Sequence, residues 1–265
     1  MKFDMKNYYT AKEAQERLGI DKNRFNYLVR IKKIKKFIPP KRVQGVYSKL
    51  EIDKLARELI AFMVHDESQG LVFSKATKED IEEEYELAAF MFGSSAVHSI
   101  PTRQAWLKAN PDTDFIIRDQ GRLVGFINML PIKHETIVEF MAGRMRGWDI
   151  KPEDIVSYTP RSTVECIIMG MGTTPEVPVK RRTQYGARLI SGLMEFLNEL
   201  AQKQVTISKF YATSATPSGI ALLKNAEFKE TGSIGKRVTF ELDTTTRSDT
   251  LMVREYRRML EAYKG

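Results

Sequence analysis

The chain has 265 residues, 42% of them hydrophobic, which exceeds a typical single domain and is enough to bury a sizeable core. No apolar run approaches the length of a membrane span, and the opening residues lack the apolar stretch of a signal peptide, so we expect a cytoplasmic protein with no membrane partner. The single cysteine, Cys166, excludes an internal disulfide and lacks the companions of a zinc site, so no metal is expected.

The positive charge is confined to the N-terminal part of the chain. Residues 1–60 contain 16 Lys and Arg against 7 Asp and Glu, whereas the remainder contains 26 against 27. Such a local excess is typical of a surface that meets a polyanion. A bare charge run is more often a plain solvated surface, so the predicted structure of this segment decides between the two readings.

Two short helices are predicted in this basic segment. Thr10 and Glu13 have the spacing of a capping box, and Gly19 is typical of a helix end. A second helix is predicted after Asp21, so the two helices are joined by a tight turn. The predicted inward residues are Ala14, Leu18, Phe25, Leu28 and Val29.

The second helix presents side chains that suit phosphate contacts and base edges. After it, two short extended pieces around a Pro-Pro and Lys-Arg turn lead to an amphipathic helix, so the order is helix, turn, helix, wing, helix. The candidate DNA-binding residues are Lys22, Arg24, Asn26, Tyr27, Arg30, Lys41 and Arg42.

The opening of this segment has an aromatic residue, a threonine, Glu-Ala and Leu-Gly at fixed steps, in Tyr9, Thr10, Glu13, Ala14, Leu18 and Gly19. It resembles the MerR and excisionase-like winged helix-turn-helix group over about residues 8–63. The resemblance implies double-stranded DNA as a partner, and a purely structural or protein-binding winged helix is the alternative. We expect this domain over residues 1–64 and a linker over residues 65–70.

The remainder predicts a mixed α/β fold. A strand precedes a helix with Ile81, Tyr85, Ala88, Ala89 and Phe92 inward, and a helix near Pro101 buries Trp106 and Leu107. Asp119, Gln120 and Gly121 separate the two strands of a predicted hairpin. Further strands are predicted over residues 164–172 and 205–213, with a long helix between them.

The start of that long helix is a candidate anion site. A proline-led basic turn passes into the helix around Tyr185, and the unpaired backbone N–H groups of a helix start favour a pyrophosphate. Arg181 and Arg182 would add positive charge. An ordinary capped helix with two solvated arginines is the alternative.

In this segment Pro178, Arg181, Gln184 and Gly186 fall at the positions of a coenzyme A loop, with Gln184 at the usual middle glycine. With the strand before it, the hairpin, and residues 214–232, the segment resembles the GNAT acetyltransferases. The resemblance implies a mixed central sheet flanked by helices over residues 71–243, a C-terminal helix over residues 244–265, acetyl-CoA, and a primary amine acceptor. The implied cofactor-binding residues are Met169, Gly170, Met171, Val179, Arg181, Arg182, Gln184, Tyr185, Gly186, Ala187 and Thr216.

The resemblance also implies a place for the catalytic groups. Glu165 stands where some members keep a water-linked general base, and a carboxylate in an apolar strand is expected to have a raised pKa. The alternative is that Glu165 only faces a salt-bridge partner such as an arginine. Glycines beside Met169 and Met171 favour a bulge whose N–H groups meet the thioester oxygen. Leu223 occupies the position of the family's tyrosine acid, so Tyr211 is the candidate substitute, although a strand aromatic is more often core. Glu227 stands where the family has the glycine before Phe228.

Other residues remain open. Cys166 is expected opposite Glu165 and inert, and His134 has no evident partner, so we assign it no role. Residues 133–162 form an insert that shapes the acceptor site or packs as a structural lid. The tail offers an apolar helical face for docking or for a homodimer, through Leu251, Val253, Met259 and Leu260.

Three functional classes follow. The first is an acetyl-CoA-dependent N-acetyltransferase with a DNA-binding module. The second is a DNA-binding regulator whose degenerate acyltransferase domain senses acyl-CoA without turnover. The third is a protein whose winged helix docks onto another protein.

Overall fold

A computed structural model describes residues 5–18, 22–30, 32, 34–40, 44–53, 55–56, 70–246 and 251–263. Gly19, Asp21, Lys41, Arg42 and most of the expected linker lie outside the described residues, as do the side chains of Arg24 and Tyr27. The chain divides into two compact units, residues 1–67 and 68–265.

The first unit is built around two short helices and one strand pair. The strands are β1 (Tyr8–Thr10) and β2 (Val46–Ser48), which pair in antiparallel orientation, and the helices are α1 (Ala11–Leu18) and α2 (Lys22–Arg30); residues 49–53 are also helical. The predicted capping box is confirmed, because the Thr10 N–H donates to Glu13 Oε2 at 2.7 Å and the Glu13 N–H donates to Thr10 Oγ1 at 3.3 Å. The core of this unit contains Ala14, Leu18, Phe25, Leu28, Ile34, Tyr47, Ile52, Leu55 and Ala56.

The two extended pieces predicted beyond α2 are joined weakly. Within the described part of this unit, the link between them is the isolated bridge of Phe37 with Val46, whereas β2 pairs along its length with β1. Tyr8 stacks on Phe37 with ring centroids 5.7 Å apart. The second extended piece is therefore held mainly by β1, and the aromatic stack joins the first piece to β1 as well.

The second unit contains a seven-stranded sheet with the order β3-β4-β5-β6-β7-β9-β8. Neighbouring strands are antiparallel except β6 and β7, which are parallel. The predicted mixed α/β class is therefore confirmed. The strands are β3 (Leu71–Lys75), β4 (Asp114–Asp119), β5 (Arg122–Ile132), β6 (Thr163–Thr173), β7 (Thr206–Ser214), β8 (Lys229–Ile234) and β9 (Arg237–Asp243).

Helices cover both faces of this sheet. They are α3 (Ile81–Phe92), α4 (Ile100–Ala109), α5 (His134–Met141), α6 (Val179–Gln202), α7 (Pro217–Asn225) and α8 (Leu251–Ala262). Successive residues of one strand join different clusters, since Cys166 packs with α6 and α8 whereas Ile167 packs with Trp106 of α4 and Phe140 of α5. Side-chain alternation thus places α6 and α8 on one face and α4 and α5 on the other.

The β4–β5 hairpin and α4 match their predictions. Gln120 and Gly121 have φ values of 50° and 87°, the pair of positive angles that a tight two-residue turn requires. Trp106 and Leu107 are buried. The turn carries the chain from β4 directly into β5, which is the neighbour of the central strand.

The inward face predicted for α3 is partly wrong. Ile81 and Ala88 are buried as expected, but Phe92 is 43% exposed and Glu84 is fully buried. Arg103 of α4 lies opposite Glu84 and donates a hydrogen bond to it. Because a hydrophobic-periodicity argument places a glutamate on the solvent face, it could not foresee this buried pair.

The C-terminal helix α8 docks on the sheet of its own unit. Val253 and Tyr256 are buried, and the Tyr256 hydroxyl accepts from the Ile207 N–H at 2.8 Å and donates to the Val205 carbonyl at 3.1 Å. The apolar face of α8 is therefore covered within the chain. Among the helices that the structure describes, none is sufficiently long and apolar to cross a bilayer.

Candidate active site

The two central strands part before they end. β6 and β7 pair in parallel as far as Ile168 and Ala212, after which β6 continues to Thr173 beside β5 and β7 continues to Ser214 beside β9. The parting lies at the carboxyl ends of the only parallel pair in the described sheet. Ligands of α/β sheets commonly occupy such a crevice.

A β-bulge lies on β6 where the crevice begins. Asn128 of β5 stands opposite Gly170, but Met129 stands opposite Ile168, so Met169 is one extra residue on β6. A bulge removes a backbone group from the hydrogen-bonded ladder and can turn it toward a ligand. The bulge lies within the segment Met169–Met171, for which we predicted backbone contacts with a thioester oxygen.

Helix α6 begins beside the crevice and earlier than predicted. It starts at Val179 and not near Tyr185, with Pro178 as N-cap, and the Arg182 N–H donates to the Pro178 carbonyl at 3.1 Å. Lysine and arginine have good helix propensity, and proline commonly precedes a first turn, so the basic residues belong to the helix itself. The helix start therefore lies six residues closer to β6 than the sequence indicated.

Arg181 is held by the β4–β5 hairpin. Its Nη2 donates to Asp119 Oδ2 at 2.7 Å and its Nη1 donates to Gln184 Oε1 at 3.0 Å. The Tyr185 hydroxyl donates to the same Asp119 oxygen at 2.6 Å, and this bond, then Arg181, lowers the pKa of Asp119. Arg181 thus has a structural partner, whereas Arg182 is exposed.

The other predicted cofactor-binding residues differ in their exposure and in their contacts. A Cβ placed on Gly186 would meet no heavy atom within 4 Å, so space is open beside the second turn of α6. Val179 is 68% exposed, and Ala187 is half-buried. Thr216 caps α7, because its Oγ1 accepts from the Gly219 N–H at 3.1 Å. The open side of Gly186 is therefore the part of this set that most directly fits an approaching ligand.

Glu165 lies at the centre of a hydrogen-bonded group on the α4–α5 face. Its Oε2 is 2.6 Å from His134 Nδ1, and its Oε1 accepts from the Tyr211 hydroxyl at 3.2 Å. The Glu165 side chain is 17% exposed and that of His134 is 67% exposed. The alternative of a salt-bridge partner for Glu165 is met by His134, with Tyr211 as a second hydrogen-bond partner, and the arginine suggested for that place is wrong.

The expectation that His134 has no evident partner is also wrong. Ile132 of β5 stands opposite Glu165 of β6, and the chain turns at Lys133 into α5, which begins with His134. The histidine is therefore carried to the carboxylate by the strand register. The two residues are far apart in sequence, so no local pattern could have paired them.

Tyr211 combines core packing with a polar contact. It is 7% exposed and packs in the cluster that contains Trp106. Burial, followed by the charge of Glu165, raises the pKa of the Tyr211 hydroxyl. The Tyr211 hydroxyl therefore stays protonated at neutral pH and donates a hydrogen bond to Glu165.

The opposite face of β6 is closed. Cys166 is fully buried, its Sγ lies 3.5 Å from the Tyr158 hydroxyl, and burial raises the pKa of this thiol to about 12. Tyr158 packs edge-on against Phe196 of α6. Tyr158 therefore belongs to the core, whereas Trp148 of the same insert is 52% exposed beneath the Arg146 guanidinium.

Three polar residues near the crevice were missed by the sequence reasoning. Arg103 donates a hydrogen bond to Glu84 inside the unit, and burial raises the pKa of Glu84 to about 8. His98 packs on Trp106 with ring centroids 4.7 Å apart, and burial lowers the pKa of His98 to about 4. Each depends on packing between helices, which residue spacing does not show.

The structure describes two of the residues that depart from the GNAT sequence pattern. Leu223 packs against the main core of the unit. Glu227, at the family's glycine position, has φ of 63°, the left-handed region that glycine occupies without strain. Glu227 therefore has a backbone conformation that favours glycine.

No protein-family model matches this chain, and no curated protein is significantly similar to it. Among solved structures, it is similar to the loading GNATL domain of CurA from Lyngbya majuscula, with 12% identity and a TM-score of 0.45 over 67% of this chain and 99% of that one. It is similar to Ard1 from Thermoplasma volcanium, with 12% identity and a TM-score of 0.43 over 66% and 97%. It is also similar to yncA from Salmonella typhimurium, solved with acetyl-CoA, with 16% identity and a TM-score of 0.39 over 68% and 97%. Function has to be argued from the residues of this chain.

Proposed function

We propose that the second unit is an acyl-CoA-dependent N-acyltransferase that uses acetyl-CoA and a primary amine. The observation that carries this proposal is the parting of β6 and β7 beside the first turn of α6. A crevice between strand ends supplies a narrow cleft, and a helix start supplies backbone N–H groups for a pyrophosphate. Acetyl-CoA supplies the acyl group as an activated thioester.

The coenzyme fits the open space at the start of α6. Gly186 presents a side with no heavy atom near a Cβ position, and Arg182 is exposed on the same helix. Arg181 fixes the first turn through Asp119, which keeps the helix start in place for binding. The proposed binding set is Met169, Gly170, Met171, Val179, Arg181, Arg182, Gln184, Tyr185, Gly186, Ala187 and Thr216.

We assign Glu165 the role of general base. It is a partly buried carboxylate on the central strand, and Tyr211 and His134 fix both of its oxygens. Because it lies four residues before Met169, about 13 Å along the strand, the amine proton reaches it through ordered water. Removal of that proton leaves the amine nucleophilic.

Tyr211 serves this base by positioning it. As an acid, Tyr211 would have to turn its proton away from Glu165, and burial together with the Glu165 charge makes that proton harder to release. Leu223 offers no proton at the family's tyrosine position. We therefore propose that the departing thiolate takes its proton from solvent.

A sensor that binds acyl-CoA without turnover is the second candidate. Leu223, Gln184 and Glu227 replace three residues of the family pattern. Glu227 keeps the left-handed backbone of the glycine it replaces, which supports a retained binding fold. The sensor predicts binding of acetyl-CoA with no transfer to any amine.

For the first unit we propose binding of double-stranded DNA through α2. Lys22, Asn26 and Arg30 are exposed, whereas Phe25 and Leu28 of the same helix are buried. A helix with one buried apolar face and one basic polar face suits a major groove. The proposed contacts also include Arg24, Tyr27, Lys41 and Arg42. Docking onto another protein is the alternative.

Calorimetric titration with acetyl-CoA, followed by thiol release with a panel of primary amines, tests the proposed function. Binding with thiol release supports the acyltransferase, and binding without release supports the sensor. Absence of binding contradicts both and leaves the first unit as the functional lead.

A further inference from the structure

A partly buried base must return its proton to solvent in every catalytic cycle. Three side chains form a graded path from the core outward: Tyr211 is 7% exposed, the Glu165 side chain is 17% exposed, and that of His134 is 67% exposed. The inner contact is 3.2 Å and the outer one is 2.6 Å, both of hydrogen-bond length. The outermost member is a histidine, whose two ring nitrogens can accept a proton on one side and release one on the other.

We propose that His134 relays the proton from Glu165 to solvent, an inference that rests on the proposed acyltransferase activity. The Nδ1 atom of the Nε2–H tautomer accepts the proton from the protonated Glu165 carboxyl group. Nε2 then releases its proton to a water or buffer molecule, which leaves Nδ1–H donating to the ionised Glu165. The ring, which is 67% exposed, turns to solvent, loses the Nδ1 proton and takes one on Nε2 before it accepts again. Glu165 is left ionised and ready for the next amine.

The structure separates this role from a purely structural one. His134 is the first residue of α5, and 67% of its side chain is exposed. The neighbouring Thr136 and Asp154 bond to each other, through Thr136 Oγ1 at 3.2 Å from Asp154 Oδ1. The start of the insert is therefore secured without the His134 ring.

Charged groups of the neighbouring strands lie around Glu165. Lys209 of β7 stands opposite Glu165 in the strand register and forms an ion pair with Glu241 of β9 at 3.0 Å. Asp243 of β9 and Tyr211 of β7 also belong to this group. Lys209 is paired with Glu241, and His134 is the most exposed member of the group, with 67% of its side chain exposed against 34% for Lys209.

Two substitutions at His134 test the relay in the full-length chain. Steady-state thiol release is measured with acetyl-CoA and an accepted amine at low buffer concentration. His134→Ala removes the ring, and we expect kcat to fall about tenfold or more with little change in KM. Added imidazole is expected to restore the rate. His134→Asn keeps an N–H donor near the Nδ1 position but cannot carry a proton, so it is expected to be as slow as His134→Ala.

A wild-type kcat in His134→Asn would show that His134 only positions Glu165. An unchanged kcat in His134→Ala would show that His134 neither positions Glu165 nor relays its proton. Either outcome would overturn the relay. Failure of imidazole to restore His134→Ala would also overturn it. A readout without turnover is the ¹⁵N resonance pattern of the His134 ring, which reports its tautomer and is expected to change in Glu165→Gln.

This second readout distinguishes the two possible failures. An unchanged ring pattern in Glu165→Gln would overturn the relay whatever the activity. A changed pattern in a protein that releases no thiol with any amine would show the coupling but overturn the proposed acyltransferase, and the catalytic relay with it.

Discussion

Arg181 and Asp119 join the first turn of α6 to the β4–β5 hairpin, with 2.7 Å between Nη2 and Oδ2. The hairpin turn and the start of α6 are therefore joined directly, although the two residues are 62 positions apart. The Tyr185 hydroxyl donates to the same carboxylate and strengthens this junction.

Asp119→Asn tests the junction. We expect it to reduce the free energy of unfolding at pH 7 by about 1–2 kcal/mol, since a charge-assisted pair becomes a neutral one. Tyr185 and Arg181 lower the pKa of Asp119 in the folded state, so its contribution is present above the unfolded value of about 3.9 and is lost as the pH falls through the folded value. Urea unfolding at several pH values measures the stability difference between the wild type and Asp119→Asn. A difference that stays the same below both the folded and the unfolded pKa of Asp119 would contradict this prediction.

Gly186→Trp tests the proposed coenzyme site. The indole would fill the open side of α6, and we expect acetyl-CoA binding to be lost in calorimetry while the fold is kept. The matched control is Gly186→Ala, whose Cβ meets no neighbour. It should retain the fold and gain about 0.5–1 kcal/mol of stability, because glycine is unfavourable inside a helix. Normal binding by the tryptophan variant would place the coenzyme elsewhere.

Glu165→Gln and Tyr211→Phe separate the base from its positioning residue. We expect kcat to fall about 100-fold in Glu165→Gln at neutral pH and by a smaller factor in Tyr211→Phe. The loss in Glu165→Gln should shrink as the pH approaches the pKa of the free amine, because the amine then arrives without its proton. A loss that is constant across the pH–rate profile would remove Glu165 as the base.

Glu84 predicts an unusual pH dependence of stability. Burial raises its pKa in the folded state to about 8, against about 4.3 when unfolded. Between these values the folded state holds a proton that the unfolded state has released, so the free energy of unfolding falls as the pH rises. Thermal unfolding from pH 4 to 8 should show this decline, and Glu84→Gln should weaken it. The same slope in both proteins would show that Glu84 stays ionised beside Arg103.

Arg24→Ala combined with Arg30→Ala tests DNA binding by the first unit. We expect weaker binding to duplex DNA, with the slope of log K against log salt reduced by about 2, if each arginine neutralises one phosphate. The charge-matched control is Lys108→Ala with Lys151→Ala, two exposed lysines of the second unit. Equal effects of the two pairs would indicate a general charge effect and not a site on α2.

Local patterns predicted the elements of this chain better than its contacts. The Thr10–Glu13 cap, the turn at Gln120 and Gly121, and the central strands follow from turn chemistry and side-chain periodicity, which neighbouring residues determine. The start of α6 was predicted too late in the sequence, because basic residues are typical of loops as well as of the first turn of a helix.

The polar contacts of the candidate site were much less predictable. Glu165 was singled out because the resemblance to the GNAT acetyltransferases implies a water-linked general base at its position. His134 could be joined to it only through the β5–β6 register, and the burial of Glu84 required Arg103 on a separate helix. Such pairs depend on how elements pack, which the spacing of residues along the chain does not encode.

The burial of Cys166 has a practical consequence for enzymology. Released coenzyme A carries a free thiol that disulfide reagents detect directly, and a reactive protein thiol would add to that signal. The only sulfhydryl of this chain is fully buried with a pKa of about 12, so it holds almost no thiolate at assay pH. A colorimetric thiol assay on the unmodified protein should therefore report product alone.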